Sequence, residues 1–117
     1  MNETAGSGVG AHPFDTATAV RGLGDGTFAG CTSDDYWNFT GPFGGATAAT
    51  LLRAVMEHPK RAGTPLSITV NFCAPVAKGD FTIAVREVRS NRSTQHWCME
   101  LAQADVGITA TATAVFA

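Results

Sequence analysis

The sequence predicts an α+β domain in which an antiparallel sheet of about five to six strands wraps around one central helix. Three patterns predict it. Residues Ala46 to His58 carry a small-residue-rich helical pattern. From Leu66 onward, apolar and polar residues alternate with a period of two through four successive segments. Two shorter strand-like segments, Phe14 to Leu23 and Thr27 to Ser33, precede the helix.

In chain order, the first two segments are separated by Gly24-Asp25-Gly26, whose glycines permit the positive φ of a tight turn, so they read as an opening hairpin. Ala46, Ala48, Ala49, Leu51, Leu52, Ala54, Val55 and Met56 then form one helix of about four turns, and His58-Pro59 stops it. So few charges on a helix mark it as mostly buried, and its alanines suit close approach to a sheet. Leu66, Ile68, Val70 and Phe72 alternate with Ser67, Thr69, Asn71 and Cys73 in a strand ended by Ala74-Pro75. Phe81, Ile83 and Val85 alternate in a second, and a third runs from Gln95 to Ala104 after the polar turn Arg89-Ser90-Asn91-Arg92-Ser93. Asp105-Val106-Gly107 turns into the last, where Ile108, Ala110, Ala112, Ala114 and Phe116 alternate with β-branched residues. The expected order is two strands, one buried helix and four strands in meander.

At 117 residues the chain fits one domain, with a large surface for its volume. Its 44% hydrophobic and 15% charged content suggests that another subunit covers part of that surface. A formal charge of −2 with scattered basic residues offers no field for nucleic acid. Cys31, Cys73 and Cys98 are odd in number and far apart, which indicates neither a disulfide framework nor a zinc site and fits a reducing cytoplasm. Met1 to Ala11 is a Gly/Ser/Thr-rich lead-in without signal-peptide character, and no segment is apolar and long enough to cross a membrane. The glycosylation patterns at Asn38 and Asn91 read as chance matches.

The most informative stretch is Trp37-Asn38-Phe39-Thr40-Gly41-Pro42-Phe43-Gly44-Gly45, running into the helix. A helix start has unpaired N–H groups and the positive end of the dipole, so it can hold an anion or polarise a carbonyl. Taken with His12-Pro13-Phe14-Asp15-Thr16-Ala17-Thr18, the Leu51-Leu52-Arg53-Ala54 helix, Ser67 to Pro75 and the Arg89–Ser93 turn, it resembles the thioesterase-like hot-dog superfamily. The likeness is specifically to the N-terminal hot dog of acyl-CoA thioesterase II type proteins, over about residues 12 to 117. That family usually carries two hot-dog repeats, the first ending near a segment like Ala112 to Ala117. The resemblance therefore implies either a hot dog that pairs with its own copy or the first half of a longer protein. A homodimer or higher homo-oligomer replaces the missing repeat through a two-fold interface that uses the same strand on both subunits.

The resemblance implies an acyl-CoA or related thioester as substrate and no separate cofactor, coenzyme A being part of the substrate. Gly44 and Gly45 are expected to present N–H groups to the thioester oxygen, with Asn38 and Thr47 as further catalytic candidates. Trp37 and Phe43 are expected to contact the acyl group, and Arg89, Arg92 and Ser93 the coenzyme A phosphates. Phe72 and Met56 read as core. Asp34 and Asp35 suit helix or turn caps, His58 a cation at the helix C-terminus and His96 a surface or strand position. Active single hot dogs place an acid about two turns after the glycines, but Thr50, Leu51 and Leu52 stand there and Glu57 lies at the far end. Thr113 and Val115 occupy the last strand where an amide would be wanted. This leaves a non-catalytic acyl-CoA-binding hot dog, or the non-catalytic half of a double hot dog, as the alternative to a thioester hydrolase. Dehydratase chemistry would want a histidine with a helix acid, a pair the sequence does not offer.

Overall fold

The computed structural model describes residues 18–32, 37–38, 41–42 and 44–117. Its elements are β1 (Arg21–Gly22), β2 (Thr27–Cys31), β3 (Trp37–Asn38), β4 (Gly41–Pro42), α1 (Gly44–Met56), β5 (Pro65–Phe72), β6 (Asp80–Ser90), β7 (Gln95–Gln103) and β8 (Gly107–Phe116). Six strands form one antiparallel sheet in the order β1-β2-β6-β7-β8-β5, and β3 pairs with β4 separately. The helix lies against one face of the sheet, over β5, β6 and β7. This is the α+β hot-dog layout expected from the sequence.

The opening hairpin turns where the glycines demand it: Gly24 has φ 115° and Gly26 φ 84°, and Leu23 N–H donates to Thr27 O at 2.8 Å. Among the described residues of its first strand, Arg21 and Gly22 pair, with Ala29 and Phe28. Residues 14–17 and Ser33 of those two expected strands lie outside the described residues, as does the 1–11 lead-in.

The four later strands do not form a simple meander. β6, β7 and β8 do, but β5 pairs with β8 and stands at the edge of the sheet. The connection from Cys73 to Gly79 explains the difference. Cys73 and Ala74 N–H groups both donate to Thr109 O, at 2.8 and 3.2 Å, tying the exit of β5 to the start of β8. Further on, Gln103 at the end of β7 grips Ala77 through both amide atoms: Oε1 accepts from Ala77 N–H at 2.9 Å and Nε2 donates to Ala77 O at 2.7 Å. The link is thereby led across the end of the sheet, past β8 and β7, before it can enter β6.

The core forms where the inward face of the sheet meets α1. Leu51, Ala54 and Val55 of the helix are fully buried against Ile83, Trp97, Met99, Leu101 and Phe116. Ala110, Ala112 and Ala114 floor the sheet with small side chains, which lets the helix sit low on it. Two apolar residues expected in this core are outside it, with Met56 40% and Phe72 53% exposed. Each is the last residue of its element, and Phe72 ends the edge strand, so none of the described residues closes over it.

A second glutamine pins the opposite end of the molecule. Gln95 Oε1 accepts from Ala62 N–H at 2.9 Å, while Nε2 donates to Lys60 O at 2.8 Å and Glu87 Oε2 at 3.0 Å. These bonds dock the 59–64 loop that follows the helix. In that loop Gly63 (φ 72°) passes so close to Ala117 that a Cβ would overlap its carbonyl, and Thr64 and Ala117 exchange backbone hydrogen bonds of 2.8 and 2.9 Å.

His58, expected to be a cation capping the helix, is a neutral ring. It packs at a 60° tilt against Trp97, with ring centroids 4.8 Å apart, and lies 6.4 Å from Phe28, and its Nδ1 accepts from Lys60 N–H at 3.1 Å. Burial, then the Lys60 charge, holds its pKa below the usual 6.5, with Glu87 opposing. His96 sits half-buried in β7, as expected of a strand residue.

Two stability outcomes follow from this packing. Because folding depresses the His58 pKa, the unfolded chain binds the extra proton first. Stability is therefore complete above pH 6.5 and is lost as pH falls through 6.5 toward the folded-state value. The melting temperature should drop more between pH 7.5 and 5.5 in the wild type than in His58→Gln; equal drops would contradict the assignment. Gly63→Ala should lower the unfolding free energy, read by denaturant titration, by about 1–3 kcal/mol.

Candidate functional site

The site expected at the helix start is built by a very short connection. In the β3–β4 pair Trp37 faces Pro42 and Asn38 faces Gly41. Gly41 lies three positions before Gly44, so pairing at about 5 Å holds the Asn38 backbone beside the segment that starts α1. Gly44 and Gly45 are themselves the first two residues of the helix, where N–H groups have no partner four residues back. Phe43, with Phe39, Asp34, Asp35 and His12, lies outside the described residues.

Electrostatics favour negative charge at this end. The macrodipole places roughly half a positive charge on a helix N-terminus. No acidic residue occupies the first turn to neutralise it. Gly45 is exposed, whereas Ala46 and Thr47 behind it are buried at 6% exposure each. The Thr47 hydroxyl has no hydrogen-bond partner among the described residues. Three residues further along the helix, Thr50 Oγ1 donates to Ala46 O at 2.7 Å. A buried hydroxyl without a partner is costly, by about 1–3 kcal/mol, unless a ligand supplies one.

A base is missing from the same region. Thr50 is engaged with the backbone, Leu51 is fully buried in the core and Leu52 is half-buried against it. The helix contains no carboxylate, and Glu57 is an exposed residue just beyond its last turn. Thr113 and Val115 of β8 face away from the helix, on the outer side of the sheet, opposite Cys98 and His96. Among the described residues no group of His, Cys, Asp or Glu could hold a metal ion.

Arg89, Arg92 and Ser93 gather elsewhere. The turn joining β6 and β7 is closed by Asn91 N–H donating to Thr94 O at 2.7 Å, and Arg89 Nε donates to Asn91 Oδ1 at 2.6 Å. Arg92 and Ser93 are exposed and border a hollow of about 240 Å³ with Gly63 and Ala117. The Gln95 bonds place this turn at the C-terminal pole of the helix. The 13 residues of α1 are about 20 Å long, so one chain holds the two expected groups at opposite poles.

A larger hollow of about 700 Å³ opens near the far edge of the sheet, lined in part by Arg21, Gly30, Asp80 and Gln103. It contains none of the expected residues. The β5 edge was not singled out by sequence reasoning as an exposed feature, although its apolar alternation was visible: Leu66 is 64% and Phe72 53% exposed, with Ile68 and Val70 half-buried between them. Among the described residues no helix is long and apolar enough to cross a membrane.

Comparison with known proteins fits this geometry. A family model described as acyl-CoA thioesterase N-terminal domain matches residues 33–117. A conserved hot-dog protein of unknown function from Alicyclobacillus acidocaldarius is 49% identical, with a TM-score of 0.85, over 91% of this chain and 39% of its own. A putative thioesterase II from Thermobifida fusca YX shares 24% identity and a TM-score of 0.77 over 89% of this chain and 38% of its own. A putative thioesterase from Ralstonia eutropha JMP134, related to phenylacetic acid degradation, shares 24% identity and a TM-score of 0.68, over 83% of this chain and 81% of its own. At that identity the last two show the fold. The chain thus spans about two fifths of the first two structures it matches. No curated protein sequence matches it.

The two buried threonines of α1 separate a reserved hydroxyl from a structural one. Thr47→Val should leave the melting temperature unchanged or raise it, whereas Thr50→Val should destabilise by about 1 kcal/mol through the lost bond to Ala46. Equal losses in calorimetry would show that the Thr47 hydroxyl has a structural partner.

Proposed function

Because the chain belongs to the acyl-CoA thioesterase N-terminal domain family, we propose that it acts on acyl-CoA or a related thioester at a site completed by a second copy. The observation that carries this reading is the start of α1: an N-terminus free of acid, opened by two glycines and backed by the buried hydroxyl of Thr47. N–H groups at Gly44 and Gly45 receive the thioester oxygen and stabilise the charge that develops on it during attack at the carbonyl. Asn38 orients the water or the carbonyl, Thr47 supplies a further donor, and Trp37 and Phe43 contact the acyl group.

Assembly through β5 supplies what one chain lacks. An eight-residue edge strand with an exposed apolar row and no lysine along it is a ready template for pairing. A two-fold axis beside β5, perpendicular to the sheet, sets the strand antiparallel to itself and continues the sheet across both chains. That operation reverses the poles. The Arg89–Ser93 turn of one chain then comes to the same end as the helix start of its partner, where Arg92 and Ser93 meet coenzyme A phosphates. The absence of a carboxylate from α1 favours a second reading, in which the chain binds acyl-CoA without hydrolysing it, or forms the non-catalytic half of a double hot dog.

Release of free thiol from short, medium and aromatic acyl-CoAs tests the first reading against the second. Gly45→Val and Asn38→Ala should each reduce turnover by about 10²-fold or more with the fold retained, since a single oxyanion donor is worth that much. Arg92→Ala should act mainly on KM. Saturable acyl-CoA binding without turnover would establish the second reading instead. Phe72→Asp should prevent pairing through β5 and halve the mass seen by sedimentation.

A further inference from the structure

Four polar side chains of the β6–β7 hairpin are joined into one hydrogen-bond chain. Arg89 Nε donates to Asn91 Oδ1 at 2.6 Å, Asn91 Nδ2 donates to Thr94 Oγ1 at 3.3 Å, and Thr94 Oγ1 lies 3.3 Å from His96 Nε2. The two ends meet across the strands, because Arg89 pairs directly with His96. A bulge makes that pairing. Glu87 faces inward, bonded to Gln95, so regular alternation would turn Arg89 inward too. The extra residue, Val88, resets the alternation and brings Arg89 to the outer face beside His96.

Donor chemistry fixes the direction of every link. A guanidinium Nε only donates, so Asn91 presents its oxygen to Arg89 and its NH₂ to Thr94. The Thr94 oxygen is then an acceptor, and its single proton is left for His96 Nε2. With neutral His96 the chain therefore ends on a bare Nε2, and the ring proton stands on Nδ1. Protonation adds a hydrogen at Nε2, yet a hydroxyl has two lone pairs. Thr94 Oγ1 then accepts from Asn91 and His96 together and turns its own proton outward. The chain stays closed and gains a donor.

The surroundings suit an anion to meet that donor. Arg89 is exposed and is tethered through Nε alone, which leaves its Nη groups without a partner among the described residues. Arg92, Ser93 and Thr94 border the hollow of about 240 Å³ at the tip of the turn. On the outer face, the row of His96 holds Arg89, Val115 and Ser67, and the next row holds Arg86, Cys98, Thr113 and Thr69. Neither row contains a carboxylate, and Glu100 stands one row further along. A charged His96 thus adds to Arg89 and Arg86 with no acid beside it in these rows.

We propose that this turn holds a tetrahedral oxyanion and that His96 is its positioning residue: acting through Thr94 and Asn91, it keeps the Arg89 guanidinium in place, and on protonation it turns the Thr94 hydroxyl toward the anion. Identifying that anion as a phosphate of coenzyme A rests on the function proposed above; free sulfate or phosphate has the same chemistry. Affinity for the anion rises as pH falls through the range in which histidine takes up a proton.

Dissociation constants at pH 8.0 and pH 5.5, at constant ionic strength, test this with inorganic sulfate, a probe that keeps its charge between those values. One added charge about 7 Å away in water is worth about threefold in affinity. A further hydroxyl donor contributes about as much again, so the wild type should bind sulfate about tenfold more tightly at pH 5.5. His96→Gln should lose the gain, Thr94→Val should keep only about threefold from the charge, and Thr94→Ser should restore the whole of it. Arg89→Ala should weaken sulfate at both pH values. No pH gain in the wild type, a gain that His96→Gln retains, or a gain that Thr94→Val leaves whole would each overturn the proposal. Competition by coenzyme A tests the underlying reading separately: a His96-dependent sulfate site that coenzyme A does not displace would uphold the role of His96 and remove this turn from the coenzyme A site.

Discussion

The contact between α1 and the inner face of the sheet governs the rest of the molecule. Leu51, Ala54 and Val55 reach no solvent, and they meet a sheet surface in which Trp97, Met99 and Phe116 supply bulk and the alanines of β8 supply room. Dense packing of this kind leaves a helix little freedom to slide or rotate, because a shift of one residue would expose Leu51 and bury Gly45 or Arg53. The position of the helix start, and so of its unpaired N–H groups, is therefore set by core packing some turns away. The same contact spends all the burial the chain can offer on one side of the sheet. Among the described residues nothing covers the β5 edge, and the strand itself carries no charge.

Two glutamines turn that layered core into a defined topology. Gln103 and Gln95 stand at the two ends of β7, and each uses its whole amide to hold a stretch of irregular backbone. Gln103 routes the chain across the sheet end, which is why β5 sits beside β8. Gln95 fixes the loop after the helix and the pole where the Arg89–Ser93 turn lies. Both are buried at 7% exposure, where an unsatisfied amide would be expensive.

Much of this was legible in the residues. Gly24 and Gly26 announced a turn that needs positive φ, and the alternation from Phe81 to Val85 announced a strand with one buried face. The alanines of α1 announced a helix lying close to a sheet. Strand order was not legible, because it depends on the Thr109 carbonyl and the Gln103 amide, and periodicity carries no information about either. Phe72 and Ile83 look alike as members of apolar rows, yet one ends an edge strand and the other sits mid-sheet. His58 looked like a capping cation because its ring partners, Trp97 and Phe28, are distant in sequence. The candidate site divides in the same way. The helix start was readable from Gly44 and Gly45, but the separation of the Arg89–Ser93 turn by the length of α1 emerges only from the fold.

That separation makes sharing between two chains the central claim, and complementation between protomers tests it most directly. Gly45→Val spoils only the helix start and Arg92→Ala only the turn. When the two impaired variants are mixed and allowed to exchange, a mixed pair contains one site built from an intact helix start and an intact partner turn. The account predicts thiol release, at limiting acyl-CoA, well above the average of the two parents. Release equal to that average would contradict it and would place each site within a single chain.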